Sequence, residues 1–206
     1  MNATGLLALL LQYPDGEILD ARDDIVAAVR ESRASLHDQD PLIGFLSWWR
    51  DTPVYELQSS YVDTFDLGRR CSLHLTYCLF GDRRERGMAL LRLKGRYKAH
   101  GLTITDVELP DFLPVMLDYA AMDADGEVLL GEHRVPLELL RAALHEERSQ
   151  YEAVVAAVCS LLDPLTPEQE AQARQIAKDG PPMETVGLEP FAPPDVMPLV
   201  PGELRR

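Results

Sequence analysis

Basic residues are scarce in this chain. Twenty Lys and Arg stand against 34 Asp and Glu in 206 residues, a formal net charge of −14 at pH 7. A general nucleic-acid binder shows the opposite balance, so that class is excluded. Cysteine is sparse too: Cys71, Cys78 and Cys159 are the only three. An odd and thinly spread set does not build a disulfide framework and fits a reducing compartment. No stretch approaches the roughly 18 apolar residues that a membrane span needs. The apolar run Leu6–Leu11 lacks a basic flank and a small-residue cleavage site and runs into Tyr13-Pro14-Asp15, which makes it a buried first helix rather than an export signal. These features predict a cytoplasmic protein. Walker and Rossmann glycine loops, HExxH, nucleophile elbows and paired CxxC motifs are all missing, as are internal repeats, so nothing in the sequence argues for an enzyme.

What is present is helical periodicity, with almost no strand signal. Leu6, Leu9 and Leu10 open a first helix, and Ile18, Ile25, Val26 and Val29 mark a second running to about Ala34. Asp40-Pro41 reads as an N-cap with proline at the first helical position, and Thr52-Pro53 repeats that signal before Val54, Leu57, Tyr61, Val62 and Phe65. Asp82 is expected to cap a long helix with Glu85 in capping-box position, and Asp111 to cap the helix that holds Leu113, Met116 and Leu117. Asp123–Gly126 reads as a turn, and a helical stretch starts at Pro136 and carries on through Tyr151 to Leu162. Thr166-Pro-Glu-Gln169 is a capping box for a last polar helix. From Gly180 onward the composition changes: seven of the fifteen prolines fall between residues 181 and 201. The expected architecture is therefore all-α, one compact multi-helix domain over residues 1–179 with a proline-rich, poorly structured tail over 180–206.

The charge is not uniform. Residues 69–100 hold nine basic and two acidic side chains, a local +7, so the remainder carries −21. The expectation for this basic helix is a solvated face whose arginines pair with neighbouring carboxylates.

Two constellations carry candidate chemistry. Cys71, His74 and Cys78 would share one face if their segment were helical and could then converge on a soft metal or form a thiol site, although buried cysteines more often pack as small hydrophobes. The second is Glu108-Leu-Pro-Asp-Phe-Leu-Pro114. Here Glu108, Asp111 and, seven residues on, Asp118 could line an apolar groove beside Phe112, suited to an amphipathic peptide that bears arginine.

Several of these stretches together resemble one family. Leu10-Leu-Gln-Tyr-Pro14, Tyr61-Val-Asp-Thr-Phe-Asp-Leu-Gly-Arg69, Ser72-Leu-His-Leu75, Gly81-Asp-Arg-Arg-Glu-Arg-Gly87 and Glu108–Pro114, in this order, are similar to the core of the NarJ family, the delta-subunit-type assembly chaperones of respiratory nitrate reductase. The resemblance runs from about residue 6 to about residue 165 and implies a protein that is not an enzyme and has no cofactor of its own. It implies a cytoplasmic chaperone that binds the basic, amphipathic N-terminal segment of the nitrate reductase catalytic subunit. The chaperone would hold that subunit while molybdenum cofactor is inserted, before membrane docking. Carried over by position, Tyr61 and Phe65 would line the peptide groove, with His74 and Leu75 on the next segment and Glu108, Asp111 and Phe112 on the facing loop. A chaperone for a different molybdoenzyme and a metal- or thiol-dependent protein built on Cys71, His74 and Cys78 are the alternatives.

Overall fold

A computed structural model describes residues 2–32, 40–68, 70–104 and 108–179. Helices form along most of this length: α1 (Ala3–Leu10), α2 (Gly16–Asp20), α3 (Arg22–Ser32), α4 (Pro41–Asp51), α5 (Val54–Tyr61), α6 (Tyr77–Phe80), α7 (Arg84–Ala99), α8 (Leu113–Met122), α9 (Ala124–Glu132), α10 (Arg134–Glu146), α11 (Glu152–Cys159) and α12 (Pro167–Asp179). A π-helical turn, Val62–Asp66, extends α5. No strand occurs among the described residues; one isolated antiparallel bridge joins His74 and Phe112.

The expected buried first helix is the centre of the core. Leu6, Leu7, Leu10 and Leu11 are almost fully enclosed, between α8, α11 and α3. A helix apolar on every side has no solvent face to offer, and each enclosed leucine contributes about 2 kcal/mol through the surface it removes from water. Beside α1 lies an aromatic cluster. The Tyr61 and Phe65 rings stand 4.9 Å apart, and Phe65 meets Tyr151 at the same distance. Phe45 and Trp48 of α4 close the cluster against Tyr151 at 5.4 and 5.8 Å.

Local signals fix several boundaries. Asp40 Oδ1 accepts from the Leu42 amide at 2.8 Å and starts α4. Thr166 and Gln169 form the reciprocal capping box, at 3.0 and 3.2 Å.

Other boundaries differ from expectation. The second helix is two: Asp15 caps α2 through the Ile18 amide, and the chain re-aims at Ala21 before α3. The expected end near Ala34 lies outside the described residues. Thr52 closes α4 rather than opening α5, its hydroxyl donating back to Trp48 O at 2.6 Å. The expected Asp82 cap does not form; Gly81 turns the chain at φ +55°, and α7 begins at Arg84 with no side-chain cap. Asp123 caps a helix, α9, through the Asp125 amide where a turn was expected. The stretch read as continuous past Tyr151 breaks after α10, where Arg148 adopts φ +54°. The proline-rich stretch from Gly180 lies outside the described residues.

Arg96 locks α7 to the α8–α9 corner. It donates to both oxygens of Asp125 at 2.6 and 2.9 Å and to Glu132 at 2.6 Å. Tyr119 donates to the same Asp125 at 2.6 Å.

Candidate peptide-binding site

His74 and Phe112 pair in an isolated antiparallel bridge, which holds residues 73–75 against residues 111–113. The Leu75 amide donates to Asp111 O at 3.0 Å, and the Leu113 amide to Leu73 O at 2.9 Å. The buried Tyr97 hydroxyl anchors the loop by donating to Pro110 O at 2.9 Å. This pairing turns the Asp111 side chain into the interior, where it is 0% exposed. It therefore does not cap α8, as its position before the helix suggests; Phe112 takes the cap position without a side-chain hydrogen bond.

Asp111 is met there by four donors. His74 Nδ1 reaches Oδ1 at 3.2 Å, and Oδ2 accepts from Thr76 Oγ1 at 2.5 Å, the Thr76 amide at 3.3 Å and Arg86 Nη2 at 3.4 Å. Arg86 Nε also donates to Thr76 Oγ1 at 3.3 Å, and its guanidinium lies 5.6 Å from the centre of the Tyr77 ring. Burial pushes the Asp111 carboxyl up. The hydrogen bonds from His74 and Thr76 and the charges of His74 and Arg86 outweigh it and hold the group below its usual value.

This buried ionic knot presents two half-buried rings outward. His74 and Phe112 lie 5.4 Å apart with a 37° tilt. From Phe112 the outer face of α8 continues at helical spacing through Val115 and Asp118 to Met122. A hollow of about 240 Å³ lies along it, with Leu102, Ile104, Val115 and Met122 as its apolar lining and Glu108 and Asp118 as its carboxylates. Burial raises the Asp118 carboxyl above its usual value. The result is an apolar strip with acidic edges and an aromatic pair at one end.

The structure thus brings together His74, Asp111 and Phe112, and separately Glu108 and Asp118. Tyr61 and Phe65 sit elsewhere, in the core, and Leu75, next to His74 on the bridged segment, turns its side chain into the core as well. Tyr61 donates its hydroxyl to Leu11 O at 3.0 Å, and burial raises its pKa well above the usual phenol. Tyr61 and Phe65 turn inward because Tyr151 offers both rings an edge-to-face partner. A larger hollow, about 730 Å³, is lined by Trp48, Glu56, Asp63, Leu67, Arg148 and neighbours. Its charges are of both signs, and it lacks a continuous apolar floor. Sequence reasoning missed Thr76, Val115 and Met122; only the α8 spacing from Phe112 signals the last two.

The cysteine constellation does not assemble. Residues 71–76 are not helical, so the shared face is lost. Cys78 Sγ donates to Leu75 O at 3.0 Å, and no three His, Cys, Asp or Glu among the described residues are grouped to hold a metal ion. Burial pushes the Cys71 thiol up to about 11 and the Cys78 thiol up to about 12, which removes thiolate character at neutral pH.

The sequence profile of the nitrate reductase delta subunit family matches residues 22–157. The chain belongs to that family. Among its relatives, it is 32% identical over 149 residues to the nitrate reductase molybdenum cofactor assembly chaperone NarJ of Escherichia coli K12, covering 71% of this chain and 63% of that one. It is 37% identical over 115 residues to the probable chaperone NarJ of Bacillus subtilis 168, covering 56% and 62%. It is 36% identical over 154 residues to the nitrate reductase-like protein NarX of Mycobacterium tuberculosis H37Rv, covering 74% of this chain and 23% of NarX. The matched stretch is thus under two thirds of the length of these three relatives. In fold, the chain is similar to the crystal structure of a candidate redox enzyme maturation protein from Archaeoglobus fulgidus. The TM-score is 0.59 at 21% identity, over 77% of this chain and 90% of that one. Among the described residues no helix is long and apolar enough to cross a membrane.

Proposed function

We propose that this family member is a non-catalytic, cytoplasmic assembly chaperone that binds the N-terminal segment of a nitrate reductase catalytic subunit and holds that subunit during molybdenum cofactor insertion. The single observation that carries the peptide reading is the strip along α8, apolar at Ile104, Val115 and Met122 and edged by Glu108 and Asp118. A basic amphipathic helix laid in such a groove places its apolar side chains on the floor and its cations on the carboxylates. The names of the NarJ relatives support the identity of the partner. His74 and Phe112 would receive the end of the peptide, fixed in place by the Asp111 knot behind them. Tyr61, Phe65 and Leu75 would act from the core, by shaping the wall rather than touching the ligand.

Calorimetric titration of the full chain with the N-terminal peptide of the catalytic subunit from the same organism tests this. Saturable binding at micromolar peptide is expected, weakening as salt rises. Glu108→Gln together with Asp118→Asn should weaken it about 3- to 10-fold, the scale of two partly exposed ion pairs. No heat of binding at tens of micromolar peptide would overturn the reading.

A further inference from the structure

The outer face of α7 is a second surface, opposite in sign to the strip along α8. Of the basic residues in this part of the chain, Arg70 pairs with Glu146, Arg86 with Asp111 and Arg96 with Asp125 and Glu132. Arg83, Arg84, Arg92 and Lys98 are exposed and have no ion pair among the described residues. Arg84, Met88, Leu91, Gly95 and Lys98 follow one another at helical spacings of three and four, so they form one stripe, opposite the buried Ala89, Leu93 and Tyr97. Met88 is 51% exposed and Leu91 65%, and Gly95 puts no side chain between Leu91 and Lys98.

The stripe is thus a basic amphipathic helix face, the chemistry that the strip along α8 accepts. From Arg84 to Lys98 it spans roughly 21 Å, and the strip from Phe112 to Met122 roughly 15 Å, so the apolar pair fits inside the strip while the flanking cations reach its edges. Both surfaces leave apolar side chains in water, Met122 at 66% on the strip. Both also leave charges unmatched. Glu108 and Asp118 have no ion pair among the described residues, and Asp118 is half-buried. Each surface carries what the other lacks. Within one chain the two cannot meet. Tyr97, on the inward face of α7, borders the same hollow as Glu108 and Asp118, so the stripe faces away from it. The matching stripe has to come from another copy. An anionic membrane fits the stripe less well. Two side chains insert less apolar surface than a single lipid anchor, which is itself marginal, and the net charge of −14 repels such a surface.

We propose that two copies of this chain associate through the outer stripe of α7 on one and the apolar, acidic strip along α8 on the other. Met88 and Leu91 lie on Val115 and Met122, and Arg84, Arg92 and Lys98 reach Glu108 and Asp118. A strip so covered is closed to peptide, so self-association and peptide binding exclude each other. This rests on the groove of the peptide-binding reading, though not on its peptide. One helix stripe offers far fewer residues than the roughly 20–30 a side of a standard interface, so the association is weak and is read near about 100 µM chain.

Sedimentation velocity of the full chain tests this. At low salt the weight-average coefficient should rise between about 1 and about 100 µM, and at high salt it should stay flat. Two altered chains separate the surfaces: one carries Arg84→Glu, Arg92→Glu and Lys98→Glu, the other Glu108→Lys and Asp118→Asn. Each alone should stay monomeric with its circular dichroism unchanged. Mixed in equal amounts, they should associate again, because each then meets a surface of opposite sign on the other. Both chains remain net negative, so overall charge cannot bring them together. Catalytic-subunit N-terminal peptide, at a level where calorimetry shows it bound, should return the parent chain to monomer. A parent chain monomeric throughout, self-association indifferent to either alteration, a mixture that stays monomeric, or self-association that survives bound peptide would each overturn the proposal. So would co-sedimentation of the parent chain with phosphatidylserine vesicles that the α7 reversal abolishes. Re-association of the mixture without any peptide binding would support the pairing and sink the peptide-binding reading alone.

Discussion

A carboxylate with no solvent exposure survives at position 111 because its two oxygens receive four donors from residues 25 to 37 positions away in the chain. Removing its charge leaves the Arg86 guanidinium, only 18% exposed, without a counter-ion. Asp111→Asn is therefore expected to cost about 3 kcal/mol, read as a lower urea midpoint at unchanged slope. The pH dependence has a definite sign. Asp111 is held below the ordinary aspartate value in the folded chain, so in acid the unfolded chain takes up this proton first. The contribution is complete above the unfolded pKa and disappears as pH falls through the folded one. Between about pH 5 and 3 the asparagine variant should lose stability less steeply than the parent. If its slope equals the parent's in that window, Asp111 is not the group responsible. In the sequence, Asp111 looks like any aspartate preceding a helix. What makes it the buried centre of the knot are His74, Thr76 and Arg86, and no local pattern announces partners so distant in sequence.

Among the elements, α8 and α9 meet through Gly126. A Cβ there would come within 2.4 to 2.6 Å of the Tyr119 and Ala120 backbone. Gly126→Ala must therefore push the two helices apart and is expected to cost about 2 kcal/mol or more. Gly95, exposed in the middle of α7 with nothing within 4 Å of where a Cβ would stand, should respond in the opposite direction. Gly95→Ala should add about 0.5–1 kcal/mol by removing backbone freedom from the unfolded chain. Parallel urea melts of the two variants check both signs. Capping chemistry made several helix starts legible, at Asp40 and Thr166, because a side chain and the amide it serves are neighbours in sequence. The breaks were less legible. Arg148 has a positive φ without being glycine, and the Val62–Asp66 turn widens without any residue that compels it.

For the whole molecule, the all-helical class and the buried first helix followed from apolar periodicity alone, since a six-residue apolar run with polar flanks has nowhere to go but inside. The acidic, apolar groove was half legible. Glu108 and Asp118 do line one hollow, but Tyr61 and Phe65, equally aromatic and equally spaced, turn inward. One sequence pattern serves a groove wall and a core, and only the facing element decides between them. The same holds for the basic stretch. The expectation that its arginines meet carboxylates is right for the exposed Arg70 and for Arg86 and Arg96, which are largely enclosed, and not for the cations on the outer stripe of α7.

The bridge between His74 and Phe112 has a kinetic consequence. The Leu75 amide lies outside any helix, and the Leu113 amide belongs to a first helical turn, where amides normally lack a partner. Both are nonetheless bonded across the bridge and buried. These two bonds close a long loop that carries all of α6 and α7, so neither amide can meet solvent unless the segments separate. In deuterium exchange they should be protected to the level of the α1 amides Leu6 to Leu10, opening as one unit with α7 rather than as frayed loop ends. Exchange at the rate of an exposed loop would show that the two segments part independently of the rest.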